Sequence, residues 1–371
     1  MDIVKRKDLM GAIENLPIHW MYPEDIKYGT PFIKQLEIEP RHIWNLNSDW
    51  DRLDRVFAWS VVHKSFKARY NGAEWKDTKL YKQRLANGKL NDKWLAKTVV
   101  WDEMLKDIID NGYSHRPLPK NLVDEYILIL IGRHGHPIIY NGIHRLSCCL
   151  LSKHRKKIPV KVLARHTRWE KFKTFILNYA ENHTGQLYSC IPHFDLENIT
   201  SNWPCERSEL IAESAINKKG SVFDAGSHWG VVSYHLAQKG FKCVAMEKNT
   251  DTYNVMRKIQ KLPGKSFKTI KKDVLSVESN TISTDILLLL NLVHHFQMKK
   301  DTFNKFIAFL DKLDTKEIFY HAHKNGDKWS TSSAMNLKPK EVLEIISKTS
   351  GLTKIDNLAT LKGRSLYHLH A

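Results

Sequence analysis

The segment that most constrains the fold is the ten-residue run 221–230, SVFDAGSHWG. It begins with apolar residues that are typical of a buried parallel strand. Gly226 allows a sharp turn, and Gly230 precedes the amphipathic run 231–237, where a small residue permits close helix packing. We therefore predict a strand, a tight glycine turn and a helix, the unit with which an open α/β sheet binds a nucleoside-type cofactor.

A carboxylate ends the next predicted strand. Glu247 closes the run 244–247 and lies 23 residues after Asp224 (247 − 224 = 23). In dinucleotide sites, an acidic residue about 20 residues beyond the glycines accepts hydrogen bonds from the ribose diol. The alternative is an ordinary βαβ unit with an incidental glutamate.

Polar residues also follow two further predicted strands. Asp273 follows the third strand, where its carboxylate can accept a hydrogen bond from an exocyclic adenine amine. Asn291, His294 and His295 follow the apolar run 285–290, which is long enough for a central strand buried on both faces. Because ligands bind outside the carboxyl ends of the strands in such sheets, we expect these residues to face one crevice.

The ordered motifs resemble those of class I S-adenosylmethionine-dependent methyltransferases. The match covers 206–371 and consists of Asp-x-Gly-x-x-x-Gly, the acidic end of strand two, the Asp after strand three and Asn-Leu-Val-His-His-Phe. The resemblance implies a Rossmann-like α/β domain with a seven-stranded sheet that closes with an antiparallel pair. It also implies S-adenosyl-L-methionine as cofactor, bound by Asp224, Gly226, His228, Gly230, Glu247, Asp273 and Asn291.

One residue of the turn departs from the family pattern. His228 stands where many members have a further glycine. Either the turn is wider here, or His228 covers the methionine end of the cofactor. A nicotinamide-dependent dehydrogenase is the competing enzyme class, but the glycines lack the Gly-x-Gly-x-x-Gly spacing.

Histidines are the candidate bases for methyl transfer. The sulfonium methyl is already activated, so the enzyme mainly supplies proximity, alignment and a base. His294 or His295 is the predicted base, since histidine can remove a proton from a hydroxyl or phosphate-linked group near neutral pH. His321 and His323 are second candidates. We predict no metal site, because no His-Glu-x-x-His or Cys/His grid is present.

The N-terminal half contains a candidate anion site. A strand at 126–131 and a hairpin partner at 137–140 precede Asn141-Gly142-Ile143-His144-Arg145, which opens a helix. Backbone N–H groups, the helix dipole and a guanidinium converge on one anion in such turns. The alternative is a hairpin and a helix cap with surface charges.

This segment resembles the ParB/sulfiredoxin-like fold, an α+β domain that holds nucleotide phosphates at the same turn. The match covers 32–165, with a helical insertion at about 44–115 whose helices 50–70 and 95–111 we interpret as packing elements. The resemblance implies ATP or CTP with Mg²⁺ as ligand. The residues that it implies are Arg133, Gly142, His144 and Arg145 for phosphate binding, and Glu37 or Glu39 as base.

Composition indicates the kind of partner. The formal net charge of +18 favours polyanions, so we expect an anionic or phosphorylated acceptor, with nucleic acid as an alternative. The odd number of cysteines, five, and the adjacent pair Cys148-Cys149 argue against a disulfide framework. The sequence also has neither an apolar signal core nor a membrane-spanning stretch. Together with the cysteine usage, these features predict a cytoplasmic protein.

Two hypotheses follow for the chain as a whole. We expect a ParB/sulfiredoxin-like domain at 1–185, a linker at 186–205 and a methyltransferase domain at 206–371. In the first hypothesis, a kinase-like phosphotransferase domain accompanies a methyltransferase that acts on a hydroxyl or phosphate of a glycan or small molecule. In the second, the N-terminal domain binds DNA or RNA, or senses CTP, for a nucleic-acid-modifying methyltransferase.

Overall fold

The chain forms two compact units. The structure, a computed structural model, describes residues 15–29, 51, 55–56, 60–113, 126–154, 156–203, 205–277, 282–324 and 333–371. The N-terminal unit extends to Asn178 and includes His193–Leu196, and the C-terminal unit comprises Tyr179–Pro192 and Glu197–Ala371. The predicted boundary after residue 185 therefore lies inside the C-terminal unit.

A mixed six-stranded sheet forms the centre of the N-terminal unit, in the order β1-β6-β4-β5-β2-β3. Its strands are β1 (Ile18–Met21), β2 (Tyr28–Gly29), β3 (Arg55–Val56), β4 (Ile127–Ile131), β5 (Pro137–Asn141) and β6 (Ile158–Arg165). The helices of this part of the chain are α1 (Val61–Tyr70), α2 (Lys79–Ala86), α3 (Asp92–Asn111), α4 (Ile143–Leu151) and α5 (Thr167–Glu181). The predicted α+β composition is observed, while the ParB/sulfiredoxin-like assignment stays a prediction.

The predicted hairpin, helix and strand of this unit are confirmed. Every residue of β4 is buried, because its five consecutive aliphatic side chains face the two sides of a central strand. β4 pairs antiparallel with β5 and parallel with β6. Gly142 has a φ of +88° and immediately precedes α4, so the chain enters the helix through a left-handed residue.

The insertion differs in part from the prediction. A helix was expected over 50–70, but α1 begins only at Val61, where the Ser60 hydroxyl accepts a hydrogen bond from the His63 N–H. Residues 55–56 instead form strand β3, which pairs with β2. The predicted packing role of the helices agrees with an aromatic cluster in which Phe66 contacts Trp75 and Trp101.

The predicted linker, 186–205, contains regular structure. Strands β7 (Leu187–Ser189) and β8 (Ser201–Trp203) form a two-stranded parallel sheet. Cys190 and Cys205 form a disulfide, while Cys148, Cys149 and Cys243 are free. The cysteine spacing did not predict this disulfide, because the intervening fold brings the two residues together.

A seven-stranded sheet forms the centre of the C-terminal unit, as predicted. Its order is β11-β10-β9-β12-β13-β15-β14, and only β15 runs antiparallel to its two neighbours. The strands are β9 (Ser221–Ala225), β10 (Lys242–Glu247), β11 (Lys268–Lys271), β12 (Ser283–Leu290), β13 (Asp314–His321), β14 (Lys354–Leu361) and β15 (Arg364–His370). The order reverses between β9 and β12, and such a switch point opens a crevice at the carboxyl ends of the strands.

Helices accompany this sheet and complete its core. They are α6 (Glu206–Ser214), α7 (Val231–Lys239), α8 (Thr250–Ile259), α9 (Val293–Phe296), α10 (Lys300–Asp311) and α11 (Pro339–Ser350). The apolar stripes of α10 and α11 pack in one cluster with β12 and β13. Among the described residues, no helix has both the length and the apolar character that crossing a bilayer requires.

Two glycines of the 221–230 run are required by backbone shape and by packing. Gly226 has a φ of +65° and Gly230 has a φ of +69°. A Cβ on Gly226 would lie 2.6 Å from Leu292 Cδ1. A Cβ on Gly230 would lie 2.9 Å from Met256 Cγ, which agrees with the predicted close helix packing.

We predict that Gly230→Ala destabilises the protein more than Gly351→Ala. Both positions have left-handed φ values, of +69° and +74°, so each alanine should cost about 1–2 kcal/mol. Only at Gly230 does the new Cβ overlap neighbouring atoms, which should add about 1–3 kcal/mol. Urea denaturation measures both free energies of unfolding, and equal losses for the two variants would contradict the packing argument.

Candidate cofactor site

A cavity of about 450 Å³ opens at the predicted sheet edge. Of the residues predicted from the sequence, Gly226, His228, Glu247, Asp273, Asn291 and His295 line it. Asp224, Gly230 and His294 are not among its lining residues. The ends of four strands therefore contribute to one cavity, as expected from the order of the motifs.

Glu247 links the glycine turn to the end of β10. Its Oε2 accepts a hydrogen bond from the His228 N–H at 3.0 Å, and its Oε1 accepts one from the Asn249 N–H at 2.8 Å. A carboxylate has about four acceptor positions, so each oxygen keeps a further lone pair after these bonds. Glu247 is therefore held in place while it lines the cavity.

His228 occupies the family's glycine position without widening the turn. Its φ of +54° lies in the left-handed region, and the Gly230 N–H donates to the Ser227 carbonyl at 2.9 Å. Its ring lies 4.3 Å from the ring of Tyr188. Burial, with a smaller contribution from Arg207, lowers the pKa of His228 to about 4, so this imidazole is neutral at pH 7.

Asp224 lies behind the turn and does not line the cavity. Its side chain is buried, and its Oδ2 accepts a hydrogen bond from the Ser233 hydroxyl at 2.7 Å. Burial raises the pKa of Asp224 to about 6. The carboxylate thus connects the end of β9 to α7, and a direct contact with a cofactor stays a prediction.

Asp273 caps a short 3₁₀ helix at the rim of the cavity. Its Oδ1 accepts a hydrogen bond from the Leu275 N–H at 3.0 Å. Its Oδ2 lies 3.3 Å from Lys248 Nζ, and both side chains are substantially exposed. The carboxylate is therefore oriented by its own backbone and remains accessible to a ligand.

Asn291, at the end of β12, forms hydrogen bonds with Tyr188 and Arg364. It has a left-handed φ of +54° and is buried. Its Nδ2 donates to Tyr188 Oη at 3.5 Å, and its Oδ1 accepts from Arg364 Nη1 at 3.2 Å. The amide is thereby fixed in orientation beside the cavity.

Of the two predicted bases, only His295 lines the cavity. The rings of His294 and His295 lie 4.1 Å apart, in the short helix α9. Burial lowers the pKa of His295, and the positive charges of Lys248 and Arg364 lower it further. A neutral imidazole beside the cavity is able to accept a proton.

Arg207 is a buried cation that the sequence did not predict, and it is not among the residues that line the cavity. It is 4% exposed, its Nη1 lies 3.3 Å from His321 Nδ1, and its guanidinium stacks on Trp203 at 5.3 Å. Among the described residues, its Nε has no hydrogen-bond partner, and its guanidinium interacts electrostatically with the buried carboxylate of Asp224. The available signal was a charged residue on the apolar face of α6, four positions before Ile211.

The second candidate histidines, His321 and His323, occupy other environments. Burial and the nearby charges of Arg207 and Arg364 lower the pKa of His321 to about 3. His321 is therefore neutral, so its Nδ1 can accept a hydrogen bond from Arg207. His323 Nε2 lies 3.2 Å from the Leu337 carbonyl, and neither histidine lines the cavity.

The predicted phosphate-binding residues of the N-terminal unit contact other side chains of the described part of the chain, and their role in phosphate binding stays a prediction. Arg133 forms a buried ion pair with Asp51, so its charge is already balanced. The ring of His144 stacks on Trp101 at 4.4 Å. Arg145 Nη1 has no hydrogen-bond partner among the described residues. The Arg145 charge lowers the pKa of Tyr113 and so offsets part of the rise that burial causes. Glu37 and Glu39 lie outside the described residues.

No protein-family model matches the sequence. No curated protein matches it either.

Solved structures align with parts of the chain. The bifunctional kinase-methyltransferase WbdD is 18% identical over 52% of this chain and 46% of its own, with a TM-score of 0.42. The magnesium protoporphyrin IX methyltransferase ChlM from Synechocystis PCC 6803, solved with bound SAM, is 13% identical over 44% of this chain and 76% of its own, with a TM-score of 0.35. The N-terminal domain of EvdMO1, solved with SAH and D-fucose, is 13% identical over 54% of this chain and 97% of its own, with a TM-score of 0.39.

These similarities are low. The aligned region spans less than half of the WbdD chain. The function of this protein is therefore argued from its own strand order and site geometry.

We predict that the protein loses stability as the pH falls from 7.5 to 5.5. His228 and His321 have folded pKa values of about 4 and about 3, below the ordinary value of about 6.5, so in this window only the unfolded chain gains protons at these positions. Each should lower the free energy of unfolding by about 1 kcal/mol. The raised pKa of Asp224 acts in the opposite direction and offsets part of the loss.

Urea denaturation at the two pH values measures this loss. His321→Gln should reduce the pH dependence. A wild-type protein equally stable at both pH values would contradict the assignment of these histidines as buried and neutral.

Proposed function

We propose that the C-terminal unit is an S-adenosyl-L-methionine-dependent methyltransferase. The observation that carries this proposal is the arrangement of Gly226, Glu247, Asp273 and Asn291 around one cavity at the switch point of the sheet. Each follows a different strand, in the order that the family pattern requires. When bound, S-adenosyl-L-methionine supplies an activated methyl group.

The residues present fit the adenosine part of this cofactor. Glu247 is fixed by two backbone N–H groups and keeps acceptor positions for the two ribose hydroxyls. Asp273 offers an accessible acceptor for an adenine amine. We assign Glu247 to the ribose and Asp273 to the base.

The methionine part carries a carboxylate, and Arg207 is the matching group. Arg207 is buried and interacts electrostatically with Asp224, and its Nε, which has no hydrogen-bond partner among the described residues, could donate to an anionic ligand. His321 and Trp203 hold the guanidinium in place. We therefore assign Arg207 to the cofactor carboxylate.

His295 is the proposed general base. It is the predicted histidine that lines the cavity, and its lowered pKa keeps it neutral near pH 7. It would accept the proton from an acceptor hydroxyl as the methyl group is transferred. Lys248 and Lys272 line the cavity together with Glu247 and Asp273, and the formal net charge of +18 for the chain favours an anionic, phosphorylated acceptor such as a glycan or small molecule.

We predict that Glu247→Ala weakens S-adenosyl-L-methionine binding by about 10–100-fold, because hydrogen bonds to a charged acceptor contribute about 1.5–3 kcal/mol each. Isothermal titration calorimetry measures the dissociation constant. Glu344→Ala, on the exposed face of α11, is the matched control and should bind like the wild type. Absence of binding by the wild-type protein would refute the proposed function.

We predict that His295→Ala binds the cofactor normally but loses methyl transfer, by about 10²–10⁴-fold, the usual contribution of a general base. Transfer is followed with a radiolabelled methyl group and a cell extract as acceptor. Phosphatase treatment of the extract should abolish labelling. Labelling that survives phosphatase but is lost after nuclease treatment would contradict a small phosphorylated acceptor and favour nucleic acid.

Nucleotide-dependent phosphotransfer by the N-terminal unit stays a prediction. The described residues do not favour one nucleotide, and neither ATP, CTP nor Mg²⁺ is assigned to particular side chains.

A further inference from the structure

Two cysteines and a histidine lie together in the C-terminal unit. Cys190 Sγ, Cys205 Sγ and a ring nitrogen of His235 all lie within 4.8 Å of one another. His235 Nε2 is 4.0 Å from Cys190 Sγ. The two sulfurs are joined as a disulfide. A disulfide needs no imidazole beside it, so the third residue points to a further role for this cluster.

The three side chains form a ligand set for a thiophilic metal ion. Thiolate and imidazole are the ligands that Zn²⁺ prefers, and three protein ligands with an open fourth position are known for this ion. Zinc–ligand bonds of about 2.0–2.3 Å bring the ligand atoms to within about 4 Å of one another. Small side-chain rotations from the observed positions reach this spacing.

We propose that the reduced protein binds one Zn²⁺ through Cys190, Cys205 and His235, and that the disulfide is the oxidised state of the same site. A dithiol reductant supplies two electrons and two protons to the disulfide, gives two thiols and is itself oxidised to a disulfide. Zinc binding then forms two Zn–S bonds and one Zn–N bond and releases the two thiol protons to solvent. The resulting pair of thiolates balances the charge of the ion.

The position of the cluster suggests what the ion would hold together. Cys190 follows β7, which carries Tyr188 into the cavity, and Cys205 precedes α6, which carries Arg207. His235 lies in α7, directly after the glycine turn. The disulfide joins the end of β7, from which Tyr188 lines the cavity, to the start of α6, and the metal would also join both segments to α7. Zinc binding itself does not depend on the proposed methyl donor.

Cobalt substitution tests this proposal on the whole chain, because Co²⁺ bound to thiolates gives a sulfur-to-metal charge-transfer absorption. The protein is reduced, freed of reductant without air and titrated with Co²⁺ and then Zn²⁺. We expect one Co²⁺ per chain, displaced by Zn²⁺, and no binding to the oxidised protein. Cys243→Ser, which removes a buried free cysteine outside the cluster, is the matched control and should bind normally.

Variants of the ligands distinguish this site from any other. Cys205→Ser should abolish the charge-transfer absorption, and His235→Gln should weaken Co²⁺ binding at least about 100-fold, more than the usual upper effect of an outer-shell change. Absence of the absorption in the reduced wild type would overturn the proposal, as would unchanged binding by His235→Gln. The wild-type comparison remains decisive where a cysteine variant does not fold.

Discussion

The two hydrogen bonds that Glu247 accepts, from the His228 and Asn249 N–H groups, are the interaction on which the site depends. The bond from His228 attaches the glycine turn after β9 to the end of β10, and the bond from Asn249 orients the Glu247 carboxylate. The distance between the two strand ends is thereby fixed beside the switch point of the sheet. The left-handed conformation of His228 follows from the same constraint, because its N–H must point to the neighbouring strand. A residue other than glycine is accommodated at this position, and the imidazole ring of His228 lines the cavity beside Tyr188.

The C-terminal fold could be predicted because its signals are local. Strands β9, β10 and β12 contain short apolar runs. Glu247, Asp273 and Asn291 lie at or just after the ends of β10, β11 and β12, so strand order places them at one edge. The sequence predicted the position of Asp224 at the strand end but not the direction of its side chain, because a carboxylate there can face either the ligand or the following helix. In the structure, the Asp224 carboxylate accepts a hydrogen bond from the Ser233 hydroxyl of that helix. Arg207 could not be predicted, since its partner His321 in β13 is 114 residues away, although Trp203 precedes it by only four positions (207 − 203 = 4).

The N-terminal unit shows the limit of the same reasoning. The hairpin and helix after Ile127 were predicted, because apolar runs and glycine turns are again local signals. Arg133 was assigned to phosphate without knowledge of its partner, Asp51, which lies 82 residues away in sequence. His144 likewise stacks on Trp101, which belongs to the insertion. Contacts contributed by an insertion cannot be inferred from the pattern of the fold that it interrupts.

Arg133 and Arg207 are both buried arginines, and the difference between them indicates where charge is available for a ligand. The guanidinium of Arg133 is balanced by a carboxylate, so removing Asp51 would leave an uncompensated charge. Arg207 instead contacts two neutral groups, the imidazole of His321 and the indole of Trp203, and interacts electrostatically with the buried carboxylate of Asp224. Because burial weakens solvent screening, its attraction for an anion is stronger than that of a cation at the surface. Arg207 is therefore better suited than the many exposed lysines of this basic protein to select an anionic ligand.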